Sequence, residues 1–132
     1  MSLRFMLDTD TCCFAIRGGS ARLKEALSRN AGALCVSAIT AAELRYGAKK
    51  NGSKRPSDSV SFLLSLLPSI PWDDSAAEKY AEVRIELEAA GTPIGNADMM
   101  IAASALSAGC AVVTHNTDHF SRVRGLSVED WA

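Results

Sequence analysis

Three acidic side chains stand at positions where the sequence predicts apolar surroundings. Asp8 directly follows the predicted buried strand Arg4-Phe5-Met6-Leu7, at the sheet edge where open α/β sheets bind ligands. Glu43 and Asp98 each lie on the apolar stripe of a predicted helix. Ionised carboxylates in one pocket repel each other strongly, and a hard divalent cation held by oxygen ligands relieves that repulsion. The pattern therefore predicts a Mg²⁺ site, with Mn²⁺ as a substitute, and hydrolysis of a phosphodiester.

Each of these acids also has a purely structural explanation. Asp8 could cap the helix that follows it, but Asp10 is a second candidate for the same cap. We therefore expect Asp10 to be the cap and Asp8 to be a site residue. Thr40 and Glu43 match a capping box, although Glu43 shares a predicted core-facing stripe with Tyr46. Asp98 lies in the first turn of its helix, where a negative charge is favourable.

Predicted strands and helices alternate along the chain. The strands are apolar without a period of two, which predicts a parallel sheet covered on both faces, an α/β fold. We expect strands at 4–7, 33–36, 69–72, 111–114 and 126–128, with 69–72 at an edge. We expect helices at 11–17, 21–29, 37–50 or 40–50, 57–67, 75–90 and 97–107, with Ser75 and Asn96 as caps of the last two.

The composition is that of an ordinary globular protein. The chain has 132 residues, of which 48% are hydrophobic and 22% charged, and we expect one domain spanning 1–132. The net charge of −1 argues against nucleic-acid binding by overall charge but allows a local basic patch. The four cysteines lack zinc-site spacing, and free thiols are expected. No apolar run approaches the roughly 20 residues of a membrane span, so we predict a cytoplasmic protein without membrane contact.

The chain resembles the PIN-domain ribonucleases of the VapC toxin group. The similarity covers nearly the whole chain in the family's order and spacing. It is carried by the segments FMLDT (5–9), SAITAAELRYG (37–47), GTPIGNAD (91–98) with IAA (101–103), VTHNTDHF (113–120) and GLSVEDW (125–131).

The resemblance implies a three-layer αβα fold around a parallel sheet of four to five strands. It implies a Mg²⁺-dependent endoribonuclease, the toxin of a type II toxin–antitoxin system, which inhibits translation by cutting RNA such as transfer RNA. A small cognate antitoxin and a homodimer are the implied partners. Asp8, Glu43 and Asp98 match the three catalytic, metal-binding acids of the family. Either Asn116 or Asp118 would supply a fourth ligand.

Other surface residues suggest binding roles. Arg45, Lys49 and Lys50 could hold RNA phosphates or could form a solvated helix face. The segment 60–67 carries more apolar residues than one helical stripe needs, which indicates a dimer or antitoxin contact.

Two alternative functions fit parts of the pattern. Asp8-Thr9-Asp10-Thr11 after a strand matches the motif of haloacid-dehalogenase-like phosphotransferases, in which Asp8 would be a nucleophile and Asp10 a general acid. A PIN module that has lost activity and serves only in protein contacts is the second alternative.

Overall fold

The computed structural model describes residues 2–132 and contains a five-stranded sheet in which every neighbouring pair is parallel. The strand order is β3-β2-β1-β4-β5. The strands are β1 (Phe5–Leu7), β2 (Leu34–Ser37), β3 (Ser69–Ile70), β4 (Ala111–Val113) and β5 (Val128–Glu129). The helices are α1 (Thr9–Ile16), α2 (Ala21–Arg29), α3 (Ala38–Asn51), α4 (Lys54–Leu66), α5 (Asp74–Ala89), α6 (Asn96–Ala108) and α7 (Thr117–Phe120).

Alternate residues of the central strands enter two separate hydrophobic cores, one on each face of the sheet. Phe5 and Leu7 pack into a cluster with side chains of α1 to α4. Met6 points to the other face and packs with side chains of α5, α6 and α7. Because both faces are covered, the central strands β1 and β4 are apolar at every position, as in other parallel sheets. The predicted three-layer αβα arrangement is confirmed.

Two predicted helix caps, Ser75 and Asn96, are wrong because the chain enters these helices earlier than the motifs suggest, and of the two predicted starts of α3 the earlier one is confirmed. Ser37 caps α3, and its hydroxyl accepts a hydrogen bond from the Ile39 amide at 3.1 Å, so Thr40 lies inside the helix. Asp73 caps α5, where Ser75 was predicted. Helix α6 begins at Asn96 itself, with Gly95 in the cap position.

Other boundaries move by a few residues. Helix α1 covers Thr9–Ile16, two residues earlier than predicted. Helix α4 begins at Lys54, because Pro56 fits the first turn, where its missing amide hydrogen loses no helical bond. The predicted fifth strand is shifted to Val128–Glu129, and the short helix α7 was not predicted because four residues carry no periodic pattern. Strand β3 lies at the predicted edge.

No helix within residues 2–132 has the length and apolarity required to cross a bilayer.

Candidate active site

Asp8 lies at the carboxyl end of the central strand and is almost fully buried, with 2% of its surface exposed. It is the N-cap of α1: Oδ1 accepts a hydrogen bond from the Thr11 amide at 2.9 Å. Oδ2 accepts a hydrogen bond from the Thr114 hydroxyl at 2.6 Å. The prediction that Asp10 is the cap is therefore wrong. Strand β1 enters α1 with one residue between them, so the cap and the acid at the sheet edge are the same residue.

The environment of Asp8 disfavours its negative charge. Burial raises the pKa of this carboxyl above 3.8, and the neighbouring charge of Asp10 raises it slightly more. The hydrogen bonds from Thr114 and Thr11 oppose that rise by stabilising the carboxylate. A bound cation would also stabilise the carboxylate, and would therefore lower its pKa as these hydrogen bonds do.

Asp98 lies in the first turn of α6, on the border between the core and solvent. Its side chain is 31% exposed, and Oδ2 lies 3.6 Å from Nδ1 of His119. Burial raises the pKa of Asp98, His119 lowers it, and the charges of Asp10 and Glu43 raise it. These four groups therefore share one electrostatic environment. The sequence pattern did not identify His119 or Asp10 as members of it.

Glu43 reaches this environment from the exposed side of α3. The prediction that its helical face points into the core is wrong, because the buried stripe runs through Thr40 and Leu44, and Tyr46 is 66% exposed. Its Oε1 accepts a hydrogen bond from the hydroxyl of Thr9, the first residue of α1. The Thr9 hydroxyl also lies 3.3 Å from Oγ1 of Thr40. Helix α1 thus orients an acid that belongs to α3.

A chain of contacts connects Asp8 to Asp98 through the loop after β4. The Thr114 hydroxyl, which donates to Asp8, accepts a hydrogen bond from the Asn116 amide at 2.8 Å. The side-chain Nδ2 of Asn116 lies 2.8 Å from Nδ1 of His119, which in turn contacts Asp98. Asn116 therefore lies between the two principal acids.

Asp118, the other candidate for the fourth position, is exposed on α7. No contact in the chain from Asp8 to Asp98 passes through it. Thr114 was missed as a site residue, although one signal was present, namely a hydroxyl at the carboxyl end of an apolar strand.

The donor set matches a hard divalent cation. The candidate ligands are carboxylate and amide oxygens. Burial raises the pKa of Asp98, and the negative charges of Asp10 and Glu43 add to that rise. In the part of the chain that the structure describes, no three His, Cys, Asp or Glu side chains lie close enough to form a complete site as they stand.

The predicted basic residues lie on the outer face of α3. Arg45, Lys49 and Lys50 are exposed, and the Lys50 ammonium lies 5.9 Å from the centre of the Tyr46 ring. No ion pair involving these three residues is found between residues 2 and 132. Their charges are therefore available to an anionic partner.

Comparison with known proteins establishes the family. The PIN domain model matches residues 5–126. The chain belongs to the PIN-domain family. This PIN domain is 40% identical to the tRNA(fMet)-specific endonuclease VapC of Shigella flexneri over 133 residues, which covers 98% of this chain and 99% of the relative. It is 41% identical to the protein of the same name from Salmonella typhimurium over 130 residues, with 98% of each chain covered.

A solved structure gives the same result for the fold. The crystal structure of DNA-bound VapBC from Salmonella typhimurium superposes with a TM-score of 0.89 at 40% identity, covering 98% of this chain and 99% of that one. The predicted membership of the VapC group and the nuclease class are thereby confirmed.

Proposed function

We propose that this PIN domain is a Mg²⁺-dependent endoribonuclease that acts as the toxin of a type II toxin–antitoxin pair and inhibits translation. The observation that carries the proposal is the buried Asp8, connected through the loop after β4 to Asp98 at the carboxyl edge of the sheet. The relatives that are named as nucleases, and the acids at this edge of the sheet, support the same chemistry.

Four residues would hold the cation: Asp8, Glu43 and Asp98 as the main ligands, and Asn116 as the fourth. Asp118 is the weaker candidate for that fourth position. When bound, Mg²⁺ or Mn²⁺ activates water and neutralises the charge that develops on the phosphodiester.

The protein's own contribution is to hold these ligands in place. Thr11 and Thr114 fix both oxygens of Asp8, each of which keeps a further lone pair. Thr9 orients the flexible Glu43 from the neighbouring helix. Such preorganisation keeps the acids in position before RNA arrives.

We propose initiator transfer RNA as the substrate, since relatives at 40% and 41% identity are named tRNA(fMet)-specific endonucleases. The exposed positive charges of Arg45, Lys49 and Lys50 would bind phosphates that flank the cleavage site. Replacing all three by alanine should flatten the salt dependence of RNA affinity, by roughly 0.7 in the logarithmic slope for each phosphate of single-stranded RNA that is no longer neutralised. The double variant Lys24→Ala/Arg29→Ala on α2 is the control for general loss of positive charge, and an equal effect there for each charge removed would contradict the assignment.

A VapB-type antitoxin is the proposed protein partner, because the solved relatives include VapBC complexes. Helix α4 offers apolar surface for such a contact, with Phe62 67% and Leu66 62% exposed. A homodimer is also proposed, and the exposed Ile85 of α5 and Tyr46 of α3 are candidates for that contact.

The central test is cleavage of purified initiator and elongator transfer RNA with Mg²⁺ or with EDTA. Asp8→Asn and Asp98→Asn should abolish cleavage. Asp73→Asn is a matched control, because Asp73 is also an N-cap: its carboxylate accepts a hydrogen bond from the Ala76 amide, three residues further along, at 3.0 Å. Asparagine caps a helix equally well. Full cleavage by both site variants would refute the proposal.

The same experiment separates the alternatives. An inactive PIN module would bind its antitoxin but leave RNA intact in Mg²⁺. The phosphotransferase alternative requires a phosphorylated Asp8. The family assignment counts against it.

A further inference from the structure

A pocket of about 570 Å³ opens directly beside the proposed active site. Helix α1 contributes Asp10, Cys13, Phe14 and Arg17 to its lining, and the loop after β4 contributes His115 and Asn116. We call this the side pocket. Its volume falls in the range of small-ligand pockets, roughly 300–1,000 Å³.

The side pocket borders the acidic residues of the candidate active site. Asp10 lines it and also raises the pKa of Asp98. Asn116 lines it as well and is the candidate fourth ligand, in contact with His119. A group seated in the side pocket would therefore lie next to whatever reacts at the acids.

The chemistry of the lining favours a flat, neutral group with hydrogen-bond donors. The Phe14 ring, the His115 imidazole and the Arg17 guanidinium offer planar surfaces on which nucleobases stack. The Asp10 carboxylate and the Asn116 amide can accept hydrogen bonds from the amino groups of a base, and Asp10 would repel a phosphate.

Two details support these roles. The Arg17 guanidinium has no ion-pair partner among residues 2–132, so it is free to meet a ligand. His115 is held at the rim by Asp130, whose Oδ2 lies 3.3 Å from Nδ1 of the imidazole.

We propose that the side pocket receives one unstacked nucleobase of single-stranded RNA, from a nucleotide next to the scissile phosphate. The inference rests on the proposed function, and it assigns part of the substrate specificity to Arg17 and His115.

The first test uses a short RNA that contains the mapped cleavage site. An abasic residue replaces one nucleoside at a time on each side of the cut. At one flanking position we expect kcat/KM to fall about tenfold, the size associated with loss of one base stack, while more distant positions have little effect. Arg17→Ala and His115→Ala should lower kcat/KM on the intact RNA and should make the enzyme insensitive to that abasic position.

Arg29→Ala is the matched control, because it also removes one exposed arginine but lies on α2, paired with Glu25. It should behave as the wild type does. Equal cleavage of every abasic RNA by the wild-type enzyme would overturn the side-pocket inference and leave the nuclease proposal intact.

The second test does not depend on cleavage. Cys13 lines the side pocket and is half-buried, whereas the other three cysteines are buried. Burial raises the pKa of the Cys13 thiol, so alkylation by iodoacetamide is followed at alkaline pH, in EDTA. A short single-stranded RNA should slow alkylation of Cys13, and a fully abasic strand of the same length should not.

These readouts separate the two proposals. If the wild-type protein cleaves no RNA in Mg²⁺, the proposed function fails, while base-dependent protection of Cys13 would still support an RNA-base pocket. Protection by the cognate antitoxin but not by RNA would overturn the inference, since the pocket would then receive a protein segment.

Discussion

Replacing Thr114 by valine tests how the site holds a buried charge. The Thr114 side chain is fully buried, and its hydroxyl donates to Oδ2 of Asp8 at 2.6 Å while accepting from the Asn116 amide at 2.8 Å. Valine has nearly the same shape, so the substitution removes both hydrogen bonds and leaves the packing in place.

The magnitude follows from what the two bonds connect. A hydrogen bond to a charged group contributes roughly 1.5–3 kcal/mol, and an amide left without a partner costs roughly 1–3 kcal/mol more when water is excluded. Because Asn116 is only partly buried, water can replace much of the second bond. We expect the free energy of unfolding to fall by about 3 kcal/mol at neutral pH, or roughly 10 °C in Tm for a chain of this size.

The loss should depend on pH in a defined direction. Burial raises the pKa of Asp8 in the folded protein above 3.8, the ordinary value that applies to the unfolded chain. Protonation of Asp8 therefore stabilises the folded protein, fully below pH 3.8, and this stabilisation is lost as the pH rises through the folded pKa. Thr114 lowers that pKa and limits the loss. Without its hydroxyl, the deficit should be largest at pH 7–8 and should narrow as the pH falls toward about 4 and Asp8 is protonated.

Urea unfolding in EDTA across pH 4–8 measures both effects, with Thr40→Val as the matched control. Thr40 is as fully buried as Thr114, but its hydroxyl has a neutral partner, Thr9, at 3.3 Å. We expect the control to lose less than about 1 kcal/mol, with no dependence on the titration of Asp8. If Thr114→Val lowers the free energy of unfolding no more than the control does, or if its loss is the same at pH 4 and pH 8, the reasoning about a buried carboxylate is wrong.

Three further predictions concern the rest of the chain. Asp8→Asn keeps the cap but removes an ionisable group whose pKa is raised by burial, so in EDTA at pH 7 urea unfolding should show a gain in stability that disappears near pH 4. In the same assay, Gly109→Ala should lower the free energy of unfolding by about 1 kcal/mol, because φ at Gly109 is 71°, a value that disfavours alanine. Gly47→Ala inside α3 should raise it by roughly 0.5–1 kcal/mol. Neither new methyl group meets an atom within 4 Å, so the backbone alone accounts for the difference. Mass spectrometry after iodoacetamide treatment should find Cys13 alkylated first, since burial raises the pKa of Cys35 to about 12; equal rates for both thiols would contradict the burial.

Much of the fold could be read from local patterns. Short apolar runs predicted the strands, and the Gly and Pro positions marked where helices end, because those signals act over a few residues. Asp8 could be placed at the sheet edge for the same reason, since it directly follows β1.

The orientation of helices required the packed structure. Glu43 has two possible faces on α3, and the core selected the stripe through Thr40 and Leu44, which leaves Glu43 outside and held by Thr9. The cap of α1 likewise depended on how directly β1 leads into the helix, which decided between Asp8 and Asp10.

By itself, the sequence determined the α/β class and the family, and it singled out the acids that we propose as metal ligands, because residue type and spacing encode these locally. The tertiary structure decided which groups surround those acids. Asp8 and Thr114 are separated by 106 positions in the chain, and they meet because β1 and β4 are neighbours in the sheet. No local pattern contains that pairing, since it arises from the burial of two hydrophobic faces around the same strands.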